Sequence, residues 1–191
     1  MKFIYFLTVL TVSATIFGCS TLLTISNSNT TTIQNNKSPT NNSLTRNTNI
    51  NYSKFEKLVK SVNKPRMKRR ITEEQFINMV KEKGTLVLDT RSAKKYKLKH
   101  VKGAIHLNFS DFTQKSLDEL IPNKNTRILI YCNNNFDGDV ISLPTKSEPL
   151  ALNIPTYINL VGYGYKNIYE LGPNLDINKT EIEFEGDLVK K

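Results

Sequence analysis

The 191-residue sequence has no tryptophan, two histidines, two cysteines and almost no acid in its first third. Each shortage excludes something. Cys19 and Cys132 alone cannot build a multi-disulfide scaffold or a four-cysteine zinc site, and two histidines leave no His-rich centre, so neither a metal nor a cofactor is expected. Hydrophobic residues make up 38% of the chain, below the globular average, so part of it builds no core. The shortage of acids is local. Residues 1–70 hold 11 basic residues and one acid, Glu56, whereas residues 71–191 hold 16 of each sign, so the whole net charge of +10 lies in the N-terminal third. A nucleic-acid partner requires a folded basic face, and the neutral remainder offers none.

Met1-Lys2 precedes a charge-free apolar run, Phe3 to Phe17, that ends in Ile16-Phe17-Gly18-Cys19. One basic residue, a short apolar region and a small residue before the break are the parts of a secretory signal. Ile-Phe-Gly-Cys resembles the bacterial lipobox, which implies cleavage before Cys19 and a diacylglycerol on its thiol. The alternatives are an uncleaved anchor, because Phe3 to Ile25 carries no charge, and an ordinary cleaved signal. All three place the remainder outside the cytoplasm. From Ser20 to Ile50, 21 of 31 residues are Ser, Thr or Asn. Such a segment cannot bury enough apolar area to offset the entropy of ordering it, so a disordered tether is expected. Its length gives a root-mean-square reach of about 30 Å as a coil and about 110 Å pulled straight. Tyr52, Phe55, Leu58, Val59 and Val62 stand at helical spacing, and the basic run Lys64 to Arg70 reads as a solvated lead-in or as a grip on anionic head groups.

Alternating strands and helices begin at residue 71. Thr72-Glu73-Glu74-Gln75 is a capping box, opening a helix whose buried stripe is Phe76, Ile77, Met79 and Val80 and which Gly84 stops. Thr85 to Asp89 and Thr126 to Tyr131 are near-continuous apolar strands, the pattern of a sheet covered on both faces. Ser92 to Leu98 and Phe112 to Leu120 read as helices, Ala104 to Leu107 and Asn167 to Leu171 as strands, and a further helix from Ser147 should be kinked or split by Pro155. The order implies a small α/β domain with a central parallel sheet flanked by helices, preceded by the tether. Residues 174–191 read as an acidic, poorly packed tail.

The working site of an open α/β sheet lies past the carboxyl ends of its strands. Cys132 stands there, followed by Asn133, Asn134, Asn135 and Phe136. Asn and Gly tolerate left-handed backbone, so successive N–H groups of this loop are expected to form an anion cradle around an accessible thiolate or persulfide. A buried core cysteine is the alternative. Asp137 and Asp139 would oppose thiolate formation if they faced the sulfur.

Leu86 to Arg91, then Tyr96, His100 to Ile105, Ile130-Tyr131-Cys132 and Gly164 to Leu171 resemble, in order and spacing, a single-domain rhodanese-like protein. The resemblance implies that Cys132 takes sulfane sulfur as a persulfide and passes it to a thiophilic acceptor. It also implies that Asp89, Arg91 and His100 brace the domain. This chain departs from that pattern in a loop about twice the usual length before the next helix. It also has Gly138 where related phosphatases carry Arg, no basic residue between Cys132 and Lys146, and Lys99 and Lys102 beside the histidine.

The expected organisation is a lipoprotein-type signal peptide over 1–18, a disordered tether over 19–53, a basic lead-in over 54–70, a rhodanese-like domain over 71–173 and the tail over 174–191. Three functions fit. One is a monomeric sulfurtransferase at the cell envelope, held to the membrane by lipidated Cys19 and using a small sulfur donor and a thiol acceptor. The second is a catalytically degenerate binding module presenting loop 133–146, with Phe136, Ile141 and Leu143 displayed to a protein partner. The third is a thiol sensor or redox partner. The intact mass of membrane-extracted protein is expected to correspond to a chain that starts at Cys19 and carries lipid; a full-length N-terminus would eliminate the lipoprotein assignment.

Overall fold

The computed structural model describes residues Asn49–Val189; the signal, Cys19 and most of the tether lie outside the described residues. The chain forms, in order, α1 (Tyr52–Met67), β1 (Arg70–Ile71), α2 (Glu73–Val80), β2 (Thr85–Asp89), α3 (Ala93–Leu98), β3 (His100–Val101) and β4 (Ile105–His106). There follow α4 (Gln114–Leu120), β5 (Arg127–Tyr131), β6 (Phe136–Asp137), α5 (Asn153–Gly162), β7 (Ile168–Leu171), β8 (Leu175–Asp176) and β9 (Phe184–Glu185). Five strands make one parallel sheet in the order β1-β7-β5-β2-β4, with β5 at its centre.

The period-two geometry of β5 explains its sequence. Ile128 and Ile130 point to one core with Leu88, Leu117, Tyr157, Leu160 and Tyr165, whereas Leu129 and Tyr131 point to a second core with Phe76, Val87, Phe136 and Leu171. A strand covered on both faces has no polar side to show. The capping box forms as read: the Gln75 N–H donates to Thr72 Oγ1 at 3.2 Å, and the Thr72 N–H donates to Gln75 Oε1 at 3.0 Å.

Several expectations need correction. The helix that begins at Tyr52, capped by Asn51, continues to Met67 and takes in the first half of the basic run, while Lys64 and Lys68 stay exposed and the arginines of the run are tied to the domain. Val62 is buried and Leu58 packs beside Gly162 of α5, while Tyr52 and Phe55 stay exposed. Among the basic residues, Arg66, Arg69 and Arg70 all reach across to β7 or its flanks. The helix expected from Ser147 is split, into a 3-10 turn over Glu148–Leu150 and α5 from Asn153, but the break falls before Pro155, and Pro155 does not kink α5. It stands in the first turn, where backbone N–H groups have no intrahelical partner to lose. The tail is packed: β8 pairs with β6, β9 pairs with β3, Ile182 is buried and the Phe184 ring meets Phe136 edge-on at 5.0 Å. Three of its acids, Glu183, Glu185 and Asp187, pair with Lys102, His100 and Lys97 on the domain, and Leu175, Ile177, Ile182 and Phe184 join the second core. Among the described residues, no helix is long and apolar enough to cross a membrane.

The residues expected to brace the domain form a buried network below the sheet's carboxyl edge. Arg91 Nη2 donates to Asp89 Oδ2 at 2.5 Å and to the Lys99 carbonyl at 2.7 Å, and Nη1 donates to the Ser142 carbonyl at 3.1 Å. The Tyr131 hydroxyl donates to Asp89 and accepts the Val101 N–H at 3.0 Å. Burial first, then the Asp89 charge, holds the Tyr131 phenol well above its ordinary pKa, so it stays a donor. His100 stacks on Tyr96 at 3.8 Å, donates from Nδ1 to the Tyr96 carbonyl at 2.7 Å and lies 3.2 Å from Glu185 of β9. Removing one partner of a buried pair leaves the other charged and unpaired. Arg91→Ala is therefore expected to cost about 3–5 kcal/mol in urea unfolding, and Tyr131→Phe about 1–2 kcal/mol.

Candidate active site

β5 delivers Cys132 to the carboxyl edge of the sheet in extended geometry, and the chain then turns through a 3-10 helix, Asn133–Asn135. The Asn135 side chain fixes this turn. Its Oδ1 accepts the Cys132 N–H at 2.9 Å and the Asn153 Nδ2–H at 3.0 Å, while its Nδ2 donates to the carbonyls of Leu171 at 2.8 Å and Pro173 at 3.0 Å. Asn134 closes the long loop with a reciprocal pair to the Lys146 backbone, at 2.7 and 3.1 Å.

The expected left-handed nest does not form. Among the described residues no non-glycine has positive φ; in the loop only Gly138 does, at 92°, where a Cβ would sit 3.1 Å from Ile177. The N–H groups that face the Cys132 sulfur belong to Asn153, Asn134 and Leu152. Of the four loop residues expected to cradle an anion, Asn134 is the one whose backbone N–H is among those that lower the thiol's pKa. The Asn135 N–H instead returns to the Cys132 carbonyl at 3.1 Å, Asn133 is buried, and Phe136 packs its ring into the second core with its N–H on the Asn133 carbonyl. The missing donors come from the turn before α5, twenty residues downstream. Spacing near Cys132 carries no signal for them.

The thiol is also less accessible than expected: Cys132 is 1% exposed. Burial pushes its pKa up, the three N–H groups pull it down and the charge of Glu170 pushes it up again, leaving it above the ordinary value. The sulfur nevertheless borders a cavity of about 440 Å³, shared with Arg66, Arg70, Glu148, Asn153 and Glu170. A larger, more open recess of about 540 Å³ between Thr72 and Pro173 contains no nucleophile.

The acids near Cys132 in sequence do not face it. Asp139 Oδ2 meets Lys99 Nζ at 2.7 Å, and Asp137 accepts from Asn174 at 2.6 Å. Burial opposes ionisation of Asp139, but Lys99 and the Ser142 N–H hold its carboxyl below the usual range. The acid that does bear on the sulfur is Glu170 of β7, which is 3% exposed. Its Oε1 receives Arg66 Nη2 at 2.6 Å and lies 3.6 Å from Arg70 Nε. Burial raises its pKa, against the two arginines and Asn153. Thus the positive charge that the cysteine loop lacks arrives from α1 and β1. A charged residue inside the otherwise apolar run Ile168-Tyr169-Glu170-Leu171 was the available signal for this pairing. Among the described residues, no group of three or more His, Cys, Asp or Glu side chains is arranged to hold a metal ion.

A nucleophile-bearing strand end inside a backbone-lined pocket defines a thiol-site α/β domain. The sequence pattern of the rhodanese-like domain matches residues 72–171, just over half of the chain, and the protein belongs to that family. Among solved structures, it is similar to the BH2092 protein of Bacillus halodurans, with 18% identity, a TM-score of 0.48, and coverage of 70% of this chain and 88% of that one. It is also similar to a rhodanese with anions from E. coli, with 19% identity, a TM-score of 0.37, and coverage of 53% and 98%. A thiosulfate sulfurtransferase from Pseudomonas aeruginosa matches with 14% identity, a TM-score of 0.46, and coverage of 69% and 23%. Comparison with curated proteins gives no match.

Alkylation of Cys132 is expected to accelerate with a midpoint above the free-cysteine value of about 8.5. Glu170→Gln removes an opposing negative charge and should move that midpoint down; an unmoved midpoint would show that Glu170 does not act on the sulfur.

Proposed function

We propose that this protein transfers sulfane sulfur through a persulfide on Cys132 while tethered to the outer side of a cell-envelope membrane. The observation that carries the reading is the convergence of the Asn134, Leu152 and Asn153 N–H groups on a sulfur that borders a cavity. Preorganised N–H donors favour the anionic sulfur of both the thiolate and the persulfide, without a metal or cofactor. The Cys132 thiolate attacks the outer sulfur of a donor; a sulfur–sulfur bond forms on Cys132 and the donor's own bond to that sulfur breaks with departure of its anion. An acceptor thiolate then attacks the outer persulfide sulfur, and Cys132 leaves as thiolate. Sulfur is conserved and no external oxidant is consumed.

The tether and lipidated Cys19 are supported by the apolar run Phe3 to Phe17 and the Ile-Phe-Gly-Cys sequence that ends it. A monomer acting on a small sulfur donor and a thiol acceptor, with no nucleic-acid partner, is part of the same reading. The binding-module alternative draws less support, because two of the three apolar residues meant to form its surface, Phe136 and Leu143, are buried, and only Ile141 is displayed, beside Val140.

Incubation with a panel of sulfane donors is expected to add one sulfur atom to the intact protein, and a thiol acceptor should remove it. Cys132→Ser should do neither; equal sulfur transfer by both proteins would end the proposal.

A further inference from the structure

The charges around Cys132 do not suit a simple inorganic dianion. Two arginines and two glutamates border the cavity, so its formal charge balances. They do not, however, share that charge evenly. Arg66 is consumed by Glu170 at 2.6 Å, with side-chain exposures of 18% and 4%. Arg70 is the less committed cation: its side chain is 42% exposed, its ion pair with Glu170 is longer at 3.6 Å, and it spends one N–H on the Gly172 carbonyl, leaving further guanidinium N–H groups. Glu148, in the 3-10 helix Glu148–Leu150, is exposed, and among the described residues its carboxylate makes no ion pair. The cavity therefore presents an arginine pair with one positive charge in excess of Glu170, its more exposed member Arg70, and one unpaired carboxylate, Glu148, beside one nucleophilic sulfur.

We propose that the donor for Cys132 is a small zwitterionic persulfide of the amino-acid type, its carboxylate held by Arg70 and its ammonium by Glu148. The inference rests on the sulfur-transfer reading and names the substrate class for that site. A dianionic donor gains one arginine and meets an unneutralised carboxylate, and burial of its second charge is left without a partner. A zwitterion satisfies both side chains at once and leaves the balance of the cavity unchanged. The volume, about 440 Å³, lies toward the small end of ligand pockets. In the reaction the Cys132 thiolate attacks the terminal sulfur of R–S–SH. The bond between the two donor sulfurs breaks, R–S⁻ departs and takes a proton from solvent, and Cys132 carries –S–SH.

The test uses detergent-extracted full-length protein, with sulfur loading on Cys132 followed by intact mass. The three donors are cysteine persulfide, N-acetylcysteine persulfide, which lacks the ammonium, and thiosulfate. Cysteine persulfide is expected to load at least about tenfold faster than either other donor, the size of one charge-assisted contact. In Glu148→Gln, at an exposed position outside the fold's core, the advantage of the free amine over the acetylated donor should disappear, with slower loading from the free amine and no loss of loading from the acetylated donor, which no longer meets the carboxylate. Arg70→Gln should slow both amino-acid donors, with recovery in Arg70→Lys. Equal loading by the free and acetylated donors, an amine advantage that survives Glu148→Gln, or faster loading from thiosulfate would overturn the donor class while leaving sulfur transfer standing. Loading by no donor would remove sulfur transfer itself and this inference with it.

Discussion

Where the strands of a parallel sheet end, their backbone groups lose the neighbours that satisfied them, and at the end of β5 one side chain replaces those neighbours. The Asn135 amide engages Cys132, Asn153, Leu171 and Pro173 together. It thereby fixes the start of the cysteine loop, the first turn of α5 and the end of β7 relative to one another. The sulfur faces the N–H groups of Leu152 and Asn153 because this amide holds the two segments in register. An Asp in its place would lack the two donors, and a Leu would leave the Leu171 carbonyl and the Cys132 N–H buried without partners.

Three ion pairs tie distant segments of the chain to one another. Lys99 grips Asp139 in the long loop, Lys102 pairs with Glu183 in the tail, and Arg66 pairs with Glu170 from α1. They differ in weight. The Lys102 pair is 61% and 71% exposed and contributes little, because solvent screens it. The Arg66 pair is nearly buried, and losing the arginine would strand the Glu170 carboxylate below the nucleophile. The helix that precedes the matched domain is thus part of its site. This gives the basic run a use within the folded domain, where composition suggested a link to the membrane surface.

A thiol raised by burial has less thiolate at neutral pH, but each thiolate that forms is a stronger nucleophile than one held at low pKa. The opposing contributions at Cys132 express that compromise. Burial and Glu170 disfavour the charge, and three N–H groups restore part of it without adding a cation at the sulfur. The half-exposed Arg70 guanidinium stands at the cavity margin, 3.6 Å from Glu170.

The sequence by itself determined the order of elements and the place of the nucleophile. Continuous apolar runs such as Arg127 to Tyr131, a capping box at Thr72 and the resemblance around Cys132 are local signals, readable because helix and strand periodicities are local. The expectation that Asp89, Arg91 and His100 brace the domain came through the resemblance; their partners, the Asp89–Arg91 pair and the His100 contact with the Tyr96 carbonyl, are seen only in the structure. The pocket's composition was not readable. Arg66 lies 104 residues from Glu170, and the N–H donors of Leu152 and Asn153 lie twenty or more residues past the sulfur they face. Only the parallel crossover that sets β7 beside β5, with α1 and the tail closing over opposite cores, brings those groups together. Position along the chain specified which residue could react; tertiary packing decided its burial, its charge environment and the donors around it, because electrostatic and hydrogen-bond partners are chosen by distance in space.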